Sequence, residues 1–115
     1  MSSWKIDARI PVIILRDWAG TPGGAAVLAE ERLPDDAGAG AQAVFRAGDG
    51  THPAGCACCS GLGAAAAALA ALFRARANGQ WFTSVAALVR TDEGAAELEE
   101  ALRQDILTVA RFRHA

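Results

Sequence analysis

Three cysteines, all that the chain contains, fall within four positions of the segment Gly55-Cys56-Ala57-Cys58-Cys59-Ser60. A thiolate is a soft, strong ligand for zinc and related ions, and two thiolates one residue apart can turn toward the same ion from a tight loop. Cys59 supplies a third corner of a tetrahedron. Zinc is the expected metal because thiolate-rich sites commonly hold it; cobalt, nickel, iron and copper(I) also suit such ligands. His52 is the nearest residue able to complete the site, with an exposed loop histidine of no ligating role as the competing reading. His114, Asp49, Asp92 and Glu93 are weaker candidates, and a water could equally hold the fourth corner. The helix expected after Ser60 favours thiolate over thiol through its unpaired amides and dipole. An exchangeable fourth position would suit passing zinc to a client protein, buffering it or sensing it, whereas a closed four-ligand site would stabilise the fold.

The same thiols admit two other readings. Cys56 and Cys59 have the Cys-x-x-Cys spacing of a dithiol that forms and breaks a disulfide. That would make the chain a thiol redox protein, although such a switch does not require a third cysteine. Free cysteines also fill cores as small hydrophobes, but residues with only that role need not cluster. No catalytic residues are assigned, because the chain has two histidines and neither belongs to a well-defined element from which a Ser-His-Asp arrangement could be built.

The elements that must hold the cysteine segment follow from the apolar pattern. Ile10-Pro11-Val12-Ile13-Ile14-Leu15 is a continuous, β-branched run suited to a strand buried on both faces. A turn rich in Gly and Pro, Arg16 to Gly24, follows it, and Ala25 to Leu33 is expected to be a helix stopped by Pro34. Gln42 to Arg46 is a short second strand. Leu62 to Ala77 has the alanine content of a strong helix, with Leu62, Leu69, Leu72 and Phe73 on one stripe and Asn78-Gly79 as its stop. Phe82 to Val89 is a third strand. Ala95 to Phe112, with Leu98, Leu102, Ile106, Val109 and Phe112 at spacings of three or four, is a final helix. The alternation predicts a small three-layer α/β unit with a parallel sheet, right-handed crossovers and functional loops at the strand carboxyl ends.

At 115 residues the chain fits a single domain, residues 1–115, able to bury a core without disulfides. A formal net charge of −2 and the lack of a Lys/Arg run argue against nucleic acid as a partner. No stretch has the length of a membrane span or the pattern of a signal peptide, and an odd cysteine count suits a reducing compartment. A cytoplasmic protein is expected. The edges of so small a sheet, and the flat alanine face of its helix, could be covered by a homodimer or within the monomer. Trp4, Trp18 and Trp81 read as packing residues. Arg74, Arg76, Arg111 and Arg113 fall at helix exits, where positive charge is favoured.

Taken in order, these residues resemble the nucleotide-binding domain of CobW-type GTPases, a metallochaperone family with a Gly-Cys-x-Cys-Cys motif between the phosphate loop and the hydrolysis strand. Here that motif is Gly55-Cys56-Ala57-Cys58-Cys59. Supporting matches are Ile10-Pro11-Val12 at the start of the first strand, a glycine-rich loop at the phosphate-loop position, and Phe82 to Val89 at the next core strand. The likeness runs from about Ile10 to Arg113 and implies a partial P-loop G domain with a metal-trafficking role centred on the cysteines.

The departures from the family bear on its chemistry. A working P-loop needs Gly-x-x-x-x-Gly-Lys-Ser/Thr, so that amides cradle phosphates, the lysine meets the terminal phosphates and the hydroxyl holds magnesium. Gly23 stands where the lysine belongs and Gly24 where the hydroxyl belongs, and Pro22 removes an amide donor. GTP binding and hydrolysis are not expected, since phosphoryl transfer rests on those positioned charges. Gly20, Gly23 and Gly24 retain the character of a weak anion site, a glycine loop ahead of a helix that could take phosphate or sulfate. The resulting expectation is a metal-binding relative without a GTPase motor. The alternatives are a thiol redox protein or a non-enzymatic interaction module pairing through its sheet or helix surface.

Overall fold

Residues 7–38, 40–48 and 63–115 are described by the computed structural model. The cysteine segment, with His52 and Asp49, lies outside the described residues. The strands are β1 (Ile10–Leu15), β2 (Ala25–Glu30), β3 (Gln42–Phe45), β4 (Ser84–Leu88) and β5 (Phe112–His114). They form one five-stranded sheet in the order β3-β2-β4-β1-β5, and every pairing is parallel. Helix α1 (Ala64–Ala77) joins β3 to β4, and helices α2 (Asp92–Gln104) and α3 (Ile106–Arg111) join β4 to β5. The fold is thus α/β, a small parallel-sheet unit. No helix among the described residues is long and apolar enough to cross a membrane.

The helix expected over Ala25 to Leu33 is instead strand β2, which ends at Glu30. Alanine and leucine favour helix locally, but a six-residue segment framed by Pro22, Gly23, Gly24 and Pro34 gains little from helix formation, whose nucleation is costly. In the sheet the same residues pair with strands on both sides, Ala25–Ala29 with Ser84–Leu88 and Val27–Glu30 with Gln42–Phe45. Tertiary pairing decides the outcome. Gly24 makes the entry possible: its φ is +76°, and its carbonyl accepts from the Thr83 amide at 2.9 Å, which sets the register of β2 against β4.

The final helix expected over Ala95 to Phe112 is also divided. At Asp105 the backbone turns extended (φ −74°, ψ 119°), and the side chain accepts from the Thr108 amide, capping a new helix. Phe112 then leaves the helix at φ −128°, ψ 158° and starts β5, so that Phe112–His114 pairs with Ile10–Val12. The stop at Asn78-Gly79 is present as expected: Gly79 takes φ +105°, and the Gln80 amide donates back to the Ala75 carbonyl at 3.0 Å.

The direction of each connection distributes the layers. From β1 to β2 and from β2 to β3 the chain moves one way across the sheet, and through α1 and through α2–α3 it moves the other way. Right-handed crossovers put these two groups on opposite faces. On the helical face Val12, Leu28, Val85 and Val89 pack with Leu69, Leu72, Leu98 and Phe112 in one core. Val27, Ala29, Ala86 and Leu88 alternate with that set along their strands and are buried as well. The described residues of the two connections on their side contain no helix. They are tied to each other by the Trp18 indole N–H donating to Asp36 at 2.6 Å and the Thr21 hydroxyl donating to the Ala37 carbonyl at 2.9 Å.

Candidate functional site

All strands of a parallel sheet end on one side, and here the polar groups at that side are organised around one carboxylate. Glu30, the last residue of β2, is 1 % exposed. Its Oε1 accepts from the amides of Arg90 at 2.7 Å and Thr91 at 2.9 Å, and its Oε2 accepts from the Thr91 hydroxyl at 2.6 Å. The Arg90 side chain returns the contact, donating from Nε to the Glu30 carbonyl at 2.9 Å and from Nη2 to the Arg32 carbonyl at 3.0 Å. Burial pushes the Glu30 carboxyl up, but the hydrogen bonds from Thr91 and Arg90 and the nearby Arg16 charge outweigh it and hold it below the usual glutamate range. Thr91 has a second task, since its hydroxyl oxygen accepts from the Gly94 amide at 3.0 Å and caps α2. Gly94 sits against the carboxylate so closely that a Cβ there would overlap it. Beside this cluster Glu31 takes a left-handed φ of 73°, and its amide donates to the Phe45 carbonyl at 2.8 Å.

A second carboxylate marks the two ends of the cysteine segment. Glu97, one turn further along α2, accepts through Oε1 from the Gly48 amide at 2.9 Å and through Oε2 from the Ala65 amide at 3.0 Å. Gly48 is the last described residue before the segment, and Ala65 lies in the first turn of α1 just after it. Helix α1 lacks its own side-chain cap at Gly63 and has no acid in its first turn. Glu97 therefore supplies from outside both the acceptor and the negative charge that a helix start favours. Its truncation, Glu97→Ala, is expected to lower stability by about 1–2 kcal/mol and to speed hydrogen exchange at the Gly48 and Ala65 amides. Unchanged protection of those two amides would show that the clamp does not operate in solution.

Of the weaker fourth-ligand candidates, Asp92 is engaged by Arg16 in an exposed ion pair at 2.8 Å. Glu93 lies nearer the segment, its Oε1 being 3.7 Å from where a Cβ of Gly48 would stand. His114 lies on edge strand β5 opposite Val12. Among the described residues no group of three or more His, Cys, Asp or Glu side chains converges on a point where a metal could sit. Cys56, Cys58, Cys59 and His52 all fall outside those residues. Gly20, Gly23 and Gly24 precede β2 rather than a helix, so the helix start that motivated an anion site at these glycines is missing.

Sequence reasoning did not single out Glu30, Gly94 or Glu97. Glu30 was assigned to the interior of a helix, where an acid would face solvent; read as the end of an apolar strand, Ala25 to Ala29, the same acid becomes a group at the functional side of a sheet. Glu97 falls off the apolar spacing of the last helix, and nothing local to its sequence points to Gly48 or Ala65. Compared with protein-family models, with curated proteins and with solved structures, the chain shows no match.

Proposed function

We propose that this chain is a CobW-like metal-binding protein without GTPase activity, in which Cys56, Cys58 and Cys59 hold one zinc ion as thiolates, with His52 as a candidate for the fourth position. Its work is then metal trafficking, buffering or sensing, with a metal-receiving client protein as partner and the cytoplasm as its compartment. The observation that carries this reading is the Glu97 clamp: one carboxylate binds the residues on both sides of the cysteine segment. The segment therefore starts and ends at the carboxyl side of a parallel sheet, the side where such folds carry their functional loops. Glu93 approaches the same end of the segment, which supports it as the alternative fourth ligand. The passage of Gly24 directly into β2 supports the absence of a nucleotide motor, because no helix start is available to meet a phosphate there. A homodimer is a separate part of the proposal; edge strands β3 and β5 are the surfaces through which it would form, and the mass in solution checks it.

The test is metal content after purification without added metal, read by elemental mass spectrometry. Near-stoichiometric zinc in the wild type, lost in Cys58→Ser, is the expected result. Metal-free wild type whose Cys56 and Cys59 titrate as a redox couple would replace this reading with the thiol redox protein. Metal-free protein with inert thiols that pairs with itself or a partner would leave the interaction module.

A further inference from the structure

The amino end of the sheet gathers arginines that are scattered in the sequence. Arg9 precedes β1, Arg76 lies in the last turn of α1 and Arg111 in the last turn of α3. All three line one open cleft of about 280 Å³ whose apolar floor includes Ile10 and Phe73. Each guanidinium is held by the protein. Arg76 stacks on Trp81 at 3.7 Å and donates from Nε to the Phe82 carbonyl at 2.8 Å. Arg111 lies over the Phe73 ring at 4.4 Å. Arg9 is bound through Nε and Nη2 by Asp7, both at 2.9 Å. Stacking engages the face of a guanidinium and leaves in-plane N–H donors available.

The charges at this end do not balance. Asp7 is committed to Arg9, which holds its carboxyl down at about 2, and among the described residues the other cation beside it is Arg113 at 3.8 Å. Among the described residues no carboxylate pairs with Arg76 or Arg111. Helix exits favour positive charge, which accounts for Arg74 and Arg76 in the last turn of α1. That preference does not require guanidiniums from three separate elements to face one cleft, where like charges repel unless an anion joins them.

We propose that this cleft is a phosphate-binding site, in which Arg111 and Arg76 present fixed forks to the oxygens of a phosphate dianion and Arg9 adds charge from the third side. Two oxygens of a phosphate match the spacing of a guanidinium fork, and a dianion suits several cations better than a single carboxylate does. The exposed indole of Trp81, 70 % accessible, borders the site and could stack against an aromatic or heterocyclic ester group. This assignment is independent of the cysteines.

The test is an amide NMR titration of the full chain with inorganic phosphate and, separately, phenyl phosphate, each against sodium chloride of equal ionic strength. Saturable shifts at residues 8–10, 73–76 and 110–111, with a midpoint of about 1 mM or tighter, are expected with phosphate and not with chloride. Tighter binding of phenyl phosphate would identify an esterified ligand, and equal binding would identify recognition of the phosphate group alone. Arg111→Gln should weaken the midpoint about tenfold. Arg111→Lys, which keeps the charge and covers Phe73 while losing the fork, should fall between the two and serves if the glutamine variant does not fold. Shifts that follow ionic strength alone, or a midpoint unchanged in the Arg111 variants, would overturn the assignment.

Discussion

Gly94→Ala is expected to destabilise the protein by about 3 kcal/mol, the upper part of the range for forcing extra volume into a packed site. A new Cβ would overlap the Glu30 carboxylate. Neither group can retreat cheaply, because Glu30 is fixed by the donors of Arg90 and Thr91 and Gly94 by its amide bond to the Thr91 hydroxyl. For a domain of this size the loss corresponds to roughly 10–15 °C in the thermal midpoint. Urea denaturation of wild type, Gly94→Ala, Glu30→Ala and the double variant closes a cycle. The double variant should be clearly less destabilised than the sum of the singles, since Glu30→Ala removes the atoms the new methyl would meet. A Gly94→Ala variant within 0.5 kcal/mol of wild type, the range of an ordinary surface substitution, would show that the close approach is not a constraint.

Glu30 itself gives the second large effect. Glu30→Ala leaves two amides and a hydroxyl without their acceptor at the end of β4 and should cost about 3 kcal/mol. Glu30→Gln retains one oxygen for the two amides and should cost nearer 1 kcal/mol. The two variants also separate packing from charge through pH. The carboxyl lies below the usual glutamate range in the folded protein, so its ionised form contributes stability that is fully present above the unfolded pKa of about 4.3. That contribution is lost as the pH falls through the lower folded value. Wild type should therefore lose stability between neutral pH and pH 3 more steeply than Glu30→Gln, and the gap between them should narrow as acid is added. Parallel stability curves over that interval would exclude a charged role for Glu30.

The parts of the fold that could be read from residues alone were those in which local pattern and tertiary need agree. The β-branched run of Ile10–Leu15 is a strand by composition and is paired on both sides, although only Ile10 and Val12 of the run are buried and the expected burial of both faces is not met; Ala64–Ala77 has both high propensity and a packed face. The misreadings arose where the two conflict. Ala25–Glu30 consists largely of helix formers yet is pinned between two strands. The spacing of Leu98, Leu102, Ile106 and Val109 suggests one continuous helix, but it does not register that Asp105 caps Thr108 rather than continuing the turn. Ile106, 84 % exposed, belongs to the apparent apolar stripe without serving it. The cysteine cluster is a local signal that a sequence carries by itself, and it lies outside the described residues; the two carboxylates that organise the described end of the sheet carry no local signal. Glu30 and Glu97 act on residues dozens of positions away, and a single sequence records no such pairing.

The strand order has a consequence for how the protein is made. Among the described strands β1 pairs with β4 and β5, both of which follow β2 and β3 in sequence. A ribosome delivers residues from the amino end, so the Ile10–Leu15 run emerges well before the segments that will cover its edges. Until then β2 and β3, neighbours in both sequence and sheet, are the described strands that can pair. The sheet closes late and around its oldest strand, which makes long-range pairing the slow part of assembly. It also makes the unpaired β-branched run the segment most in need of protection while the chain is incomplete.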